Sequence, residues 1–213
     1  VLVCSPDLGG AADVLLNLRG ATELCMDTIT QPHQVKQAID AMYPAWERAF
    51  HALYKNTTQA HNAGLIHWLG LWSNKPHHAP ACDCYIMIGP HQFNELCLPD
   101  IEKQSQAVGR ACFHLDGPQA ANHIDALLEC PHIQAIQFTP GAQAPSALPW
   151  IPMFQKIQEK ARSVLIYCPA NEVIQVAQTL KPGGLAFLLD NPPPVDELDQ
   201  LYKALCQHAG CSA

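Results

Sequence analysis

A regular alternation of short apolar runs with longer amphipathic stretches, from Ala111 to His208, most constrains the fold of this 213-residue chain. Each pair is typical of a buried strand followed by a helix. The strands are predicted at 111–115, 135–139, 164–167 and 185–189, and the helices at 123–128, 151–161, 172–180 and 195–208. Four consecutive units with a spacing of 20–30 residues favour parallel strands joined by right-handed crossovers.

The chain before Ala111 is predicted to mix strands, helices and loops. Its strands are predicted at 1–4 and 64–70, with an extended piece at 83–88, and its helices at 10–19, 34–62 and 90–108, with a short helix or turn at 24–28. The complete pattern of six or seven strands suits either a (β/α)8 barrel or an open doubly wound sheet. No G-x-G-x-x-G sequence follows a predicted strand, so a dinucleotide site is not supported.

The charge and hydropathy of the chain disfavour two classes of partner. Hydrophobic residues make up 48% and charged residues 15%, and the formal net charge is -7 without any cluster of lysines and arginines. Because nucleic-acid binding needs a basic face, a nucleic-acid partner is not expected. No apolar run approaches the roughly 20 residues that span a bilayer, and Val1–Cys4 does not have the pattern of a signal peptide.

The ten cysteines are scattered along the chain, and several lie inside apolar runs. This distribution favours reduced thiols and a cytoplasmic protein over a disulfide framework. The close pair in Cys82-Asp83-Cys84 is by itself a weak metal signal, and we interpret it as two small buried side chains around a turn aspartate. His77 and His78, in a proline-flanked loop, are predicted to be solvated.

Polar or reactive side chains stand where the predicted strands end. In a barrel of parallel strands these ends converge on the catalytic face. His114 and Asp116 are two residues apart, so both side chains point to the same side of their strand. We predict His114, Asp116 and Tyr167 as catalytic residues. The residues predicted to bind a small-molecule substrate are Asp7, His67, Trp68, Gln137 and Asp190.

Several stretches resemble the uroporphyrinogen decarboxylase superfamily, which includes corrinoid-linked methyltransferases. Residues 7–13 with 18–20 are similar to the segment before the long helix of that family, and 83–93 is similar to its D-x-x-x-x-[SG]-P-x-x-[FY] turn. Residues 113–117 match its H-x-[CD]-G strand end, and 135–142 match an I-Q-[WF]-x-P-G-A run. The motifs follow one another in order over nearly the whole chain.

The resemblance implies a single (β/α)8 barrel domain over residues 1–213. Members of the family usually have well over 300 residues, so we expect the chain to correspond to the C-terminal two-thirds of the barrel. The resemblance further implies a methyltransferase that acts with a thiol or with a corrinoid on a partner protein. It also suggests a homodimer, because barrels of this family often pair.

In the methyltransferase branch, an H-x-C pattern and a later cysteine hold zinc, which binds and deprotonates the thiol acceptor. Here Asp116 stands in place of the first cysteine, and Cys168 is the cysteine at a late strand end. A zinc site formed by His114, Asp116 and Cys168 is therefore the implied metal centre, since zinc accepts nitrogen, oxygen and sulfur ligands.

Two alternatives remain open. The first is a cofactor-free tetrapyrrole decarboxylase, in which Asp116 accepts pyrrole N–H bonds and His114 or Tyr167 transfers protons. The H-x-D-G sequence is not the pattern expected of that branch. The second is an inactive or ligand-binding partial barrel.

Overall fold

The computed structural model describes residues 4–59, 64–141 and 146–210 and shows a mixed α/β fold. The strands are β1 (Cys4–Ser5), β2 (Leu65–His67), β3 (Trp72–Ser73), β4 (Ala111–Asp116), β5 (Ile133–Thr139), β6 (Ser163–Pro169) and β7 (Leu185–Asp190). The α-helices are α1 (Ala11–Arg19), α2 (Ala21–Thr30), α3 (Pro32–Gln59), α4 (Pro90–Gln92), α5 (Leu98–Val108), α6 (Ile124–Glu129), α7 (Ile151–Glu159), α8 (Val173–Gln178) and α9 (Val195–Ala209).

The strand–helix units predicted after Ala111 form a four-stranded parallel sheet in the order β4-β5-β6-β7. Strands β5 and β6 are in register from Ala135 opposite Ser163, and β6 and β7 from Val164 opposite Leu185. Each strand is followed by a helix, as parallel connections require. The α/β class is thereby confirmed.

A second sheet has the order β1-β2-β3, with β1 and β2 parallel and β2 and β3 antiparallel. The segment His78–Pro80 runs beside the start of β4: the Cys112 N–H donates to the His78 carbonyl at 3.1 Å, and the His114 N–H donates to the Pro80 carbonyl at 2.9 Å. Strand β4 therefore has a hydrogen-bonded neighbour along its first residues.

Two compact units make up the chain. The first comprises Val1–His114 and Asn122–Gln134, and the second comprises Leu115–Ala121 and Ala135–Ala213. In the first unit, α3 packs on α1, α2 and α5, and its Trp46 and Phe50 rings are buried and stacked at 5.8 Å. In the second unit, the fully buried Phe138 of β5 contacts the ring of Phe154 on α7.

Three predicted elements differ from the structure. The segment predicted as extended at 83–88 is a 3-10 helix, Asp83–Met87, which contacts α1, buries Cys84 and Tyr85 and leaves Ile86 and Met87 exposed. The strand predicted at 64–70 is shorter, Leu65–His67, because Gly70 has a positive φ of 80° and turns the chain towards β3. The short helix or turn predicted at 24–28 is a helix that extends over Ala21–Thr30.

Two further predictions fall partly outside the described residues: the first strand, for residues 1–3, and the end of α3, for residues 60–62. None of the helices in the described part of the chain has the length and apolar character needed to cross a membrane.

Candidate functional site

A tyrosine and an aspartate meet at the carboxyl ends of β6 and β7. The two strands are parallel, with Tyr167 opposite Leu188 and Pro169 opposite Asp190, so their carboxyl ends lie at one edge. The Tyr167 hydroxyl donates a hydrogen bond of 2.8 Å to Oδ1 of Asp190. This hydrogen bond, and to a lesser degree burial, raises the pKa of Tyr167. Ionisation of the tyrosine would remove the donated proton and place a phenolate beside the Asp190 carboxylate. Tyr167 is therefore a protonated hydrogen-bond donor at neutral pH.

An open crevice of about 1030 Å³ includes Asp190 in its wall, and Tyr167 reaches it through its hydrogen bond to Asp190 rather than as a lining residue. The other polar side chains that line it are Asn171, Asn191, Glu197 and Gln200. Asn191 has a φ of 49°, a left-handed conformation that asparagine tolerates better than most residues. The crevice matches the usual location of ligand sites in parallel α/β sheets, at the carboxyl ends of the strands.

A second cavity, of about 320 Å³, lies between α8, β7 and α9 and is predominantly apolar. Leu185, Leu189 and Leu205 are among its lining residues. It offers few polar groups to orient a reacting molecule, so the polar crevice is the better candidate for a catalytic site.

Three other predicted site residues belong to the same unit. Gln137 is buried in β5, and its amide donates to the Thr139 hydroxyl at 2.9 Å. Cys168 is fully buried, its thiol donates to the Pro169 carbonyl at 3.3 Å, and burial raises its pKa to about 12. Asp116 ends β4 and is half-buried. The structure thus places Gln137 in a local hydrogen bond and keeps the Cys168 thiol protonated.

The remaining predicted residues belong to the first unit. The half-buried His114 ring meets the Trp68 ring edge-on with centroids 4.9 Å apart, and the Trp68 indole donates to the Ala79 carbonyl at 3.1 Å. His67 is buried, and its Nδ1 accepts the Leu69 N–H at 3.2 Å. Burial lowers the pKa of His67 to about 3, so its ring stays neutral. Asp7 is exposed and accepts the Gly9 N–H at 2.8 Å.

Three buried cysteines form a separate cluster in the first unit. The ligand atoms of Cys82, Cys84 and Cys97 all lie within 4.8 Å of one another, and the sulfurs of Cys82 and Cys84 are 3.8 Å apart. These side chains are between 2% and 5% exposed. This cluster, which we call the three-cysteine cluster, could hold a metal ion. It is the one such group found among residues 4–59, 64–141 and 146–210.

Hydrogen bonds between the thiols shift the pKa values of the cysteines in the three-cysteine cluster in opposite directions. Hydrogen bonding with Cys82 and Cys84 lowers the pKa of Cys97 below its usual value. Hydrogen bonding to Cys84 and Cys97, together with complete burial, raises the pKa of Cys82.

Asp13 of α1 positions the loop that carries Cys82 and Cys84. Its two carboxylate oxygens accept the backbone N–H groups of Asp83 at 3.1 Å and Cys84 at 2.8 Å. At the start of the same helix, Gly10 lies so close to the loop that a Cβ there would overlap the Ala81 carbonyl oxygen. Helix α1 therefore fixes the backbone of the C-x-C segment.

In comparisons with known proteins, no family model, no curated protein and no solved structure matches the chain. The resemblance to the uroporphyrinogen decarboxylase superfamily therefore stays a prediction, as does a zinc site formed by His114, Asp116 and Cys168.

Sequence reasoning missed Cys97 as a partner of the C-x-C pair. The two cysteines of the pair were predicted to be buried, and they are. Twelve residues separate Cys84, which lies in the 3-10 helix, from Cys97, which ends a π-helical turn, Phe93–Cys97. The sequence does show three cysteines within one short segment, which could have suggested a shared site. Whether their sulfurs come together depends on how that segment folds.

The prediction that His77 and His78 are solvated is wrong, because both are buried. The His77 ring nitrogens lie 3.1 Å from the Lys75 and Leu71 carbonyl oxygens. The His78 ring packs near Trp46 and Phe50, with centroids 6.0 and 5.9 Å away. Burial lowers the pKa of His78 from 6.5 to about 4, with a smaller opposing contribution from Asp7.

The buried His78 makes stability depend on pH. The unfolded chain protonates this ring near pH 6.5 and the folded protein only near pH 4, so its contribution is complete above pH 6.5 and is lost as the pH falls towards 4. Between roughly pH 7.5 and pH 5 the loss is about 2 kcal/mol. We expect His78→Phe, which keeps an aromatic ring, to reduce the acid-dependent loss by this amount in urea unfolding. His91→Gln, at an exposed position, is the control and should lose as much unfolding free energy as the wild type. An equal loss of unfolding free energy in the wild type and both variants would contradict the expectation.

Proposed function

We propose that the chain is an enzyme that binds a small molecule at the carboxyl ends of its parallel strands, with Tyr167 and Asp190 in the site. The observation that carries this proposal is the 2.8 Å hydrogen bond between their side chains at the edge of a polar crevice. An acid paired with a carboxylate in a crevice at this end of the strands is a common arrangement for proton transfer.

The reaction that we propose is methyl transfer, as the resemblance to the uroporphyrinogen decarboxylase superfamily implies. The methyl group passes from a nitrogen, oxygen or sulfur atom of the donor to a thiolate or to a corrinoid on a partner protein. The donor atom keeps the bonding electron pair and takes a proton. Tyr167 would supply that proton and recover it from solvent, and its raised pKa suits a strongly basic leaving group.

The finer fold that we propose is a (β/α)8 barrel. Four parallel strands in chain order, each followed by a helix, are compatible with part of such a barrel. In this arrangement the ends of β4, β6 and β7 would contribute Asp116, Tyr167 and Asp190 to one catalytic face.

The resemblance implies zinc at His114, Asp116 and Cys168, but among the described residues the side chains gathered closely enough for a metal ion are Cys82, Cys84 and Cys97 instead. The Cys168 thiol has a raised pKa and donates to its neighbour's carbonyl, so it would have to lose its proton on metal binding. Proton donation by Tyr167 does not depend on this metal.

A second reaction, decarboxylation of a tetrapyrrole, is favoured by the same pair of side chains. Loss of carbon dioxide leaves a carbanion that must take up a proton, and Tyr167 is a protonated donor beside the crevice. Asp190 would then accept pyrrole N–H groups in place of the tyrosine hydroxyl.

The test is an assay of the purified chain with methylated amines, methyl ethers and methyl sulfides as donors. A small alkanethiol and cob(I)alamin serve as acceptors, and mass spectrometry and the methylcobalamin spectrum report the product. Uroporphyrinogen is assayed in parallel for carbon dioxide release. We expect methylated acceptor with the wild type and none with a Tyr167→Phe/Asp190→Ala double variant. Product from uroporphyrinogen alone would establish the second reaction, and equal rates for wild type and double variant in every assay would refute an enzyme with this site.

A further inference from the structure

We propose that the three-cysteine cluster is a structural site for one thiophilic metal ion, of which zinc is the best fit, held by the sulfurs of Cys82, Cys84 and Cys97. The site lies in the first unit and is independent of the proposed enzyme activity. Its occupancy can therefore be tested separately from that activity.

The spacing of the sulfurs is the first argument. Two sulfurs bound to one tetrahedral zinc, each about 2.3 Å from the metal, lie about 3.8 Å apart. The sulfurs of Cys82 and Cys84 are 3.8 Å apart, and all three sulfurs lie within 4.8 Å of one another. The distance is far longer than a disulfide bond of about 2.05 Å, so the cluster has the dimensions of a metal-thiolate site.

The nature of the ligands is the second argument. Three sulfur donors select soft or borderline ions over magnesium and calcium, which prefer oxygen. The three side chains are buried, and nothing comparable brings together cysteines elsewhere in the described ranges. Metal binding would release the thiol protons to solvent.

The surroundings favour a structural role. The cavity beside Cys84 and Cys97 has a volume of about 10 Å³ and is lined by apolar side chains such as Leu24 and Val35. A water molecule needs about 10–15 Å³ of such space, so the cavity is too small for a substrate. Catalytic zinc sites, by contrast, keep a position open to substrate.

The backbone around the ligands is held before any metal binds. Asp13 accepts the N–H groups of Asp83 and Cys84, which fixes the C-x-C loop against α1. Cys97 ends a π-helical turn and directly precedes α5. A metal would therefore cross-link the loop at the start of the 3-10 helix to the start of α5.

Cobalt titration of the metal-free protein, followed by zinc competition, tests the site directly. We expect one equivalent of Co²⁺ to produce a thiolate charge-transfer band that zinc abolishes. Cys97→Ala should weaken binding by at least about 100-fold, because it removes a direct ligand and outer partners alone cost 10–100-fold. Cys112→Ala is the matched control, since Cys112 is equally buried in the same unit but lies outside the cluster, and it should bind as the wild type.

Two further measurements keep the test informative if the Cys97→Ala variant fails to fold. Zinc should raise the Tm of the wild type and of Cys112→Ala but not of Cys97→Ala. In the wild type itself, native mass spectrometry should detect one bound zinc ion, which a chelator removes. No thiolate band on cobalt titration, or equal affinity in Cys97→Ala, would overturn the proposal. His114→Ala should leave this band unchanged, which distinguishes the cluster from the other predicted zinc site.

Discussion

Replacement of Tyr167 by phenylalanine is expected to lower kcat for the proposed methyl transfer by about 10²–10⁴-fold, the usual contribution of a positioned general acid. The substitution removes only the hydroxyl that donates 2.8 Å to Asp190, and the ring can keep its place in β6. The Km should change much less, because the lost interaction acts on the leaving group in the transition state.

The pH profile distinguishes proton donation from a structural role. Because its hydrogen bond to Asp190 raises the pKa of Tyr167, the wild type should lose kcat only at pH values above the usual tyrosine range, and this alkaline fall should be absent from the residual activity of Tyr167→Phe. Tyr202→Phe is the matched control, since Tyr202 is 58% exposed on α9 and is not placed in the site. Tyr202→Phe should keep the wild-type kcat. If Tyr167→Phe also keeps it, Tyr167 is not the proton donor.

Replacement of Phe138 by alanine is expected to cost about 3–5 kcal/mol in the free energy of unfolding. Phe138 is fully buried in β5, and its ring centroid is 4.8 Å from that of Trp150 and 5.8 Å from that of Phe154. The loss combines the apolar area of the ring, the cavity left behind and the two aromatic contacts. Urea unfolding followed by circular dichroism measures it.

Phe187→Ala in β7 is the matched control, because it makes the same chemical change in the same sheet at a half-buried position. It should cost less than about 2 kcal/mol, since less apolar area returns to water. Equal losses for the two variants would mean that β5 does not form the centre of the core of the second unit.

The second half of the fold could be predicted from the sequence because each local pattern agrees with the sheet. Runs such as Val164–Tyr167 are apolar and short, and each is followed by a helical pattern, so the strands of a parallel sheet are recognisable from the chain alone. The ends of β6 and β7 followed from the same pattern, which placed Tyr167 and Asp190 among the candidate residues. Their direct hydrogen bond depends on the register of the two strands, which the pattern does not specify.

The first half was harder to predict because its short segments pack irregularly. The apolar residues of Asp83–Met87 do not distinguish a strand from a 3-10 helix, and tertiary packing decides between them. The buried state of His77 and His78 was missed because histidine and proline usually indicate exposed loops, whereas His78 here packs near the aromatic residues of α3. The meeting of Cys97 with Cys82 and Cys84 likewise depends on two helical turns whose geometry the sequence does not reveal.

The most direct test of the proposed enzyme site is NMR mapping of the donor substrate on the ¹⁵N-labelled protein. The methylated donor with the highest turnover is titrated into the wild type and into Asp190→Ala. We predict saturable shifts of the backbone amides of Asn171, Asp190 and Asn191 around the polar crevice, and weaker binding to the variant. Shifts confined to Leu198, Tyr202 and Leu205, which line the apolar cavity, or identical titrations of the two proteins, would contradict a site at the carboxyl ends of β6 and β7.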